Sequence, residues 1–357
     1  MKRYILYILL FNFILLSCDS SLDVDADYKN IPVVYSLLDK NDTLHQYVKL
    51  NKAFLGDASV SDMAQVSDSL NYSNAIVNII KYKGNSGGIT YSFHKVDTIE
   101  KDEGFFANDD NIIYVYDGKI LEDGESASDC KFVLDINING VGEVSSETNI
   151  VSDVMVHSPL GTTIPREIYV YGTDYLAPQY SFSSGKNAIY FEYFIEVEYY
   201  EKVDGVYTLK TVRHSEGTKR GNTLSGNQKF PFVLEGETFY RFLAEELDEP
   251  ESNRIFYSVR YKFLSAGEDL TMYIDLTKPT YGIVQEKPSF TNIENGWGLF
   301  SSRTSTYSPR KKLDLSSLNH LSLGDEVKQL KFENYTNTGN FYSNHRDLDI
   351  YELYITK

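Results

Sequence analysis

Short runs of alternating apolar and polar residues divide most of the chain. Ile31–Asp39 reads as a strand that ends in the turn Lys40-Asn41-Asp42, and 43–55 reads as its partner. In that partner Leu44, Gln46, Val48 and Leu50 fall on one face, and His45, Tyr47 and Lys49 on the other, a period near two. Ala75–Lys83 and 89–97 flank the turn Gly84-Asn85-Ser86-Gly87-Gly88 and predict a hairpin. Residues 111–118 and 130–140 continue the pattern, while 59–70 predicts one short helix inserted in a loop. The clearest strand is 187–205. Ile189, Phe191, Tyr193, Ile195, Val197 and Tyr199 share one face, and Tyr190, Glu192, Phe194, Glu196 and Glu198 the other. Asp204-Gly205 turns it into a partner beginning at Val206. Residues 254–267 and 270–276 are expected to be further strands. One helix is predicted at 235–247, where Phe239, Phe242, Leu243 and Leu247 form an apolar stripe and Pro250 stops the helix.

Short strands separated by Gly, Asn and Asp turns predict a mainly β protein. The expected organisation is two β-sandwich or barrel-like domains, 29–160 and 161–357, with one amphipathic helix in the second. The linker is expected at 157–165, where two prolines bracket a glycine.

The first residues follow a different pattern. Lys2 and Arg3 precede an apolar run from Tyr4 to Leu16, broken only by Asn12. A run of that length is too short to cross a bilayer core of roughly 30 Å and reads as a secretory signal over 1–17. Leu15-Leu16-Ser17-Cys18 resembles the lipobox of bacterial lipoproteins. The resemblance implies thioether lipidation of Cys18, cleavage before it, and acylation of the new amine. Several acyl chains hold a protein to a membrane far more firmly than one. Residues 18–28 then read as an acidic tether, too polar to offset its ordering entropy by burial. Asp23, Asp25 and Asp27 have the spacing of half a calcium loop. Tyr28 and Val34 occupy the positions where that loop needs glycine and glutamate, so no metal is expected there.

Composition narrows the partners. Loss of Lys2 and Arg3 with the signal leaves 32 basic against 51 acidic residues, a formal charge of −19. A nucleic-acid partner needs a basic patch, and 308–313 is the only cluster of Lys and Arg. Nucleic acid is therefore excluded as the expected ligand. The 29 tyrosines and 20 phenylalanines favour strands. With Cys18 acylated, Cys130 has no intrachain partner and is expected to be a buried thiol.

No familiar catalytic spacing appears. The six histidines are scattered singly, and no phosphate loop, nucleophile elbow, dinucleotide fingerprint or zinc motif is present. Glu192, Glu196 and Glu198 are expected on a wet sheet face, because catalytic carboxylates usually come from separate elements. The densest polar and aromatic stretch is 287–303. It carries the only tryptophan, Trp297, between Gly296 and Gly298, with Asn292, Asn295 and Arg303 nearby. Two readings stand here. Trp297 either packs a tight loop with Leu299 and Phe300, the preferred reading, or stacks on a sugar with Asn292, Asn295 and Arg303 as hydrogen-bonding partners. Thr43, Ser69 and Thr98 each follow an aspartate and precede an aliphatic residue, which resembles the O-glycosylation acceptor of Bacteroidota.

The segments 32–56, 236–247, 265–276 and 287–303 resemble parts of a family of Bacteroidota outer-membrane lipoproteins whose domain has no assigned function. The resemblance implies a β-rich envelope protein, lipid-anchored to the outer membrane and displayed at the cell surface or on the periplasmic face. It supplies no catalytic residues and no cofactor, and it suggests a role accessory to an outer-membrane transporter. The expected function is non-enzymatic binding or assembly. The alternative is a surface protein that binds or processes glycans.

Overall fold

The computed structural model describes residues 30–53, 60–72, 74–84, 87–97, 111–158, 168, 174–204, 206–278 and 289–333. The signal, the tether, Cys18, Thr98 and most of the 157–165 linker lie outside the described residues.

Seven strands occupy the first part of the chain: β1 (Ile31–Asp39), β2 (His45–Ala53), β3 (Ala75–Lys83), β4 (Ile89–Val96), β5 (Ile113–Asp117), β6 (Cys130–Ile138) and β7 (Gly142–Asn149). Seven more follow: β8 (Met155–Ser158), β9 (Gln179–Ser183), β10 (Tyr190–Val203), β11 (Val206–Arg220), β12 (Lys229–Val233), β13 (Arg254–Ala266) and β14 (Trp297–Tyr307). The protein is mainly β. Eleven strands form one sheet in the order β11-β10-β13-β14-β1-β2-β5-β4-β3-β6-β7, and β12-β9-β8 form a small second sheet.

Strand β14 splices the two halves of the large sheet. Its first residues run parallel to β1, with Trp297 opposite Val33 and Arg303 opposite Asp39. Its last residues run antiparallel to β13, with Arg303 opposite Ala266 and Tyr307 opposite Lys262. On one side of this splice, β14 and β1–β7 curl around a single core, as twisted strands do when they approach closure. The core includes Val34, Leu50, Ile79, Phe93, Tyr114, Leu134, Val144 and Phe300, so every one of the eight strands contributes to it. The curl nearly closes. Ser145 of β7 bridges Glu294 just ahead of β14, and Ser302 Oγ donates to Asn149 O and accepts from Val151 N. On the other side, β10 and β13 pack against the small sheet through an aromatic cluster that includes Phe182, Phe191, Phe230, Phe232 and Phe263. The first core takes Ile293 and Phe300 from far along the chain, and the second takes Val151 and Val154. The chain crosses between the cores, and residue 160 does not divide them.

The helices are α1 (Val60–Ala64), α2 (Ser67–Leu70), α3 (Gly236–Glu246), α4 (Glu268–Thr277) and α5 (Leu315–Leu323). The stripe Phe239, Phe242, Leu243 and Leu247 is buried as its spacing requires. Two expectations are corrected. Residues 270–276 lie in helix α4, not in a strand, and α3 is not alone in the second half. Gly267 caps α4, Glu268 and Asp269 stand at its positive end, and Thr271 Oγ1 donates back to Gly267 O. These local interactions outweigh the β propensity of Thr271, Tyr273 and Ile274. Helix α5 is announced by Asp314, whose carboxylate accepts from the backbone N–H groups of Ser316 and Ser317.

One buried ion pair plugs the first core. Lys81 on β3 is 2 % exposed, and its Nζ lies 2.8 Å from Glu125 Oε2. Tyr91 donates its hydroxyl to Ile120 O, and Glu122 N–H donates to Glu125 Oε2, so the 118–129 connection is fastened inward. Burial alone would raise the Glu125 pKa. The hydrogen bonds from Lys81 and the Glu122 backbone, with the Lys81 charge, outweigh it and bring the value down to about 2. A carboxylate depressed in the folded state stabilises fully above its ordinary pKa, and the contribution fades as pH falls toward the folded value. Acid unfolding should therefore lose on the order of 3 kcal/mol between about pH 5 and pH 2 through this group. Denaturant titrations across that range should show a shallower pH slope for Glu125→Gln, which is already destabilised at pH 7. Equal slopes for the two proteins would refute the assignment.

Candidate functional site

The stretch around Trp297 is built by a narrow hairpin. Asn292 Nδ2 donates to Phe300 O at 2.7 Å, and Phe300 N–H donates to Asn292 Oδ1 at 3.0 Å. These two bonds close the hairpin. Asn295 takes the left-handed conformation at its tip (φ 57°), and its Nδ2 donates to Glu143 O at 3.1 Å. Strand alternation then buries Phe300 inside the curled core, and places Trp297, Leu299, Ser301 and Arg303 on the outer face of the sheet. Helix α4 covers Leu299 and Ser301, and Leu270 N–H donates to Ser301 Oγ.

Trp297 itself is left uncovered. It is 42 % exposed, which corrects the expectation that it packs with Leu299 and Phe300. The set Trp297, Asn292, Asn295 and Arg303 does not assemble either. Asn292 and Asn295 are turned to backbone, and Arg303 lies six residues along the strand, about 20 Å from Trp297, beside Asp39 at 3.8 Å.

Other residues join Trp297 instead. Tyr35 and Tyr47 are each 43 % exposed on the same outer face. Trp297 lies opposite Val33, two residues before Tyr35, and Tyr35 lies opposite Lys49, two residues from Tyr47. Each step moves one strand across and two residues along, so the three aromatics form one oblique row, with about 7–8 Å between successive positions. The next step on the same line reaches Asp117 of β5, which lies opposite His45. Two contacts fix the rings. Tyr273 of α4 meets Tyr35 edge-on at 6.1 Å, and His45 lies 6.0 Å from Tyr47. At the far end the Asp117 carboxylate stands between two imidazoles, 3.6 Å from His45 Nε2 and 3.7 Å from His94 Nε2. Among the described residues no group of three His, Cys, Asp or Glu side chains is arranged to hold a metal ion. The sequence did show His45, Tyr47 and Lys49 on one face. It carried no sign that Trp297, some 250 residues later, would extend that face.

A second feature is a cleft of about 440 Å³ where β7 fails to meet β14 fully. Glu147, Glu268, Asp269, Glu294, Ser145 and Asn292 line it. Burial raises the Asp269 pKa, and a hydrogen bond from Asn292 opposes the rise. A more strongly raised carboxyl lies elsewhere. Glu216 is the extra residue of a β-bulge in β11, and burial, reinforced by the Glu235 charge, pushes its pKa up to about 7.

Of the three β10 glutamates expected on a wet face, Glu192 is half-exposed, but Glu196 and Glu198 are not wet. Glu196 and Glu198 are 5 % and 2 % exposed. Arg310 grips Glu198 with two bonds of 2.6 and 2.9 Å, Ser258 Oγ donates to it at 2.5 Å, and Arg260 reaches Glu196 at 3.0 Å and Glu198 at 3.4 Å. Burial pushes the Glu198 pKa up, but the hydrogen bonds from Arg310 and Ser258 and the charges of Arg260 and Arg310 prevail and lower it. A carboxylate locked ionised in this way is a structural counter-ion, poorly suited to exchange protons with a substrate. Glu198→Gln leaves the Arg310 guanidinium without its charge partner, whereas Arg260 keeps Glu196. Because Arg310 is nearly half exposed and can rehydrate, the expected loss is about 2 kcal/mol, below the usual range for a broken buried pair. Urea unfolding measures it, and a loss under about 0.5 kcal/mol would mean that the network is idle.

Cys130 is buried at the start of β6, with Sγ 3.8 Å from Ser126 O. Thr43 is exposed after the first turn, whereas Ser69 is half-buried within α2.

Comparison with known proteins adds no family. No family model matches the chain, and no curated protein matches it. Among solved structures, red sea bream transglutaminase is similar to 79 % of this chain at 7 % identity, with a TM-score of 0.16. The chain spans 31 % of that protein's length. A likeness of this size carries no argument about fold or activity.

Proposed function

We propose that this protein is a lipid-anchored lipoprotein of the outer membrane with a non-enzymatic binding role, accessory to an envelope transporter of the Bacteroidota type. The observation that carries the binding reading is the exposed row Trp297–Tyr35–Tyr47 on the outer face of the sheet. Large rings held in place on a flat face lose little conformational freedom on binding, which is why such residues dominate recognition surfaces. The engagement of Glu196 and Glu198 by arginines weighs against a catalytic role for the β10 carboxylates. The anchor rests on the signal-like start and the Leu15-Leu16-Ser17-Cys18 motif.

Two experiments test the two parts. Cys18→Ala should abolish labelled palmitate incorporation and accumulate with its signal uncleaved, and equal labelling of wild type and variant would sink the anchor. For binding, the lipidated protein is used to capture partners from detergent-solubilised envelopes. A transporter that co-elutes with wild type and is lost with Tyr47→Ala supports the accessory role. A second reading, a surface glycan-binding protein, is favoured by one observation, the exposure of Trp297.

A further inference from the structure

We infer that the row Trp297–Tyr35–Tyr47–Asp117 is a binding track for an uncharged polysaccharide strand, laid obliquely across β14, β1, β2 and β5. The inference rests on the binding reading above and names its ligand. Three observations point to this ligand class.

The first is shape. The three aromatic residues occupy strand positions on one line at successive steps of about 7–8 Å, with strand backbone beneath them and α4 as a wall on one side, so the track suits an extended chain of linked sugars. The second is chemistry. An aromatic face stacks on the C–H face of a pyranose ring. At the Tyr47 end the row runs into Asp117, His45 and His94, planar polar groups able to accept and donate hydrogen bonds to ring hydroxyls.

The third is charge. The chain carries a net charge of −17, yet the track is balanced. Arg303 stands beside Asp39, and the positive charge of Lys49, whose Nζ donates to the neutral oxygens of Asn111 and Ile112, is matched along the row by the negative charge of Asp117. An anionic polymer would meet the repulsion of the acidic surface with no net positive charge along the row to compensate. A neutral strand meets no such penalty.

The protein offers its own probe, because Trp297 is the only tryptophan. Intrinsic emission of the full mature chain is titrated with cellohexaose, mannohexaose and xylohexaose, and with polygalacturonate as the charged comparison. At least one neutral hexasaccharide is expected to shift the emission saturably, and polygalacturonate is expected neither to shift it nor to compete. Tyr47→Ala, two strands from the reporter, should weaken the apparent affinity about tenfold without moving the melting temperature. Calorimetry on Trp297→Ala should show a loss of at least the same size.

Absence of any shift or heat with all three neutral probes overturns the inference, as does unaltered affinity in Tyr47→Ala. If an envelope protein is captured through the row while no hexasaccharide binds, the glycan inference falls and the binding reading stands. If Tyr47→Ala and Trp297→Ala change neither oligosaccharide binding nor protein capture, both fall.

Discussion

Gly298→Ala should destabilise the protein by on the order of 4 kcal/mol or more, because it wedges apart the strand pair that splices the two halves. Gly298 lies opposite Val34 in the parallel β1–β14 pair. A Cβ at this position would stand 1.9 Å from Val34 O and 2.8 Å from Val34 C, both backbone atoms that cannot move without breaking the ladder. Its φ of +120° is also one that alanine adopts only under strain. The two effects can be separated. Gly142 has nearly the same φ, +125°, but nothing lies within 4 Å of where a methyl group would stand, so Gly142→Ala carries the conformational strain alone, about 1 kcal/mol. Thermal and urea unfolding of both variants decides the matter. Equal midpoints would show that β14 does not approach β1 as closely as Gly298 permits.

Phe300→Ala should be the next most damaging change, at about 3–5 kcal/mol, while Trp297→Ala should cost about 1 kcal/mol or less. The residues are three apart on one strand and differ in what surrounds them. Phe300 is fully buried in the curled core with Val34, Leu38 and Ile293 as fellow members, and its backbone is clamped by Asn292. Truncation there empties space that a barrel-like wall cannot collapse to fill. Trp297 faces outward, and much of its ring already meets water. Against a total stability of about 5–15 kcal/mol the contrast should be plain in a melting curve. A large loss from Trp297→Ala would put the indole back in the packing and remove the row of aromatics as a binding surface.

The amino-acid pattern by itself determined that this chain is mainly β, and it located most of the strands. It also chose the buried face of several: the inward set of β10, the inward Val48 and Leu50 of β2, and the stripe of α3 all follow from local periodicity. Such periodicity is a property of neighbouring residues, so it can be read without knowing what packs against them. Where local signals compete, the pattern misleads. Residues 270–276 look like a strand, but the Gly267 cap and the acids behind it start a helix.

Only the tertiary structure decided which outward faces stay wet. Glu196 and Glu198 fall on the outward face of their strand, as alternation requires, yet arginines from β13 and from residue 310 close over them. Trp297 looked like core because Leu299 and Phe300 follow it. The parity of β14 sends Phe300 inward and Trp297 outward, and α4 covers Leu299 while stopping short of the indole. The row that Trp297 forms with Tyr35 and Tyr47 depends on a parallel pairing between strands some 260 residues apart in the chain. No local pattern encodes the register of such a pair, because it is fixed by the close approach at Gly298 and by the two cores on either side of β14.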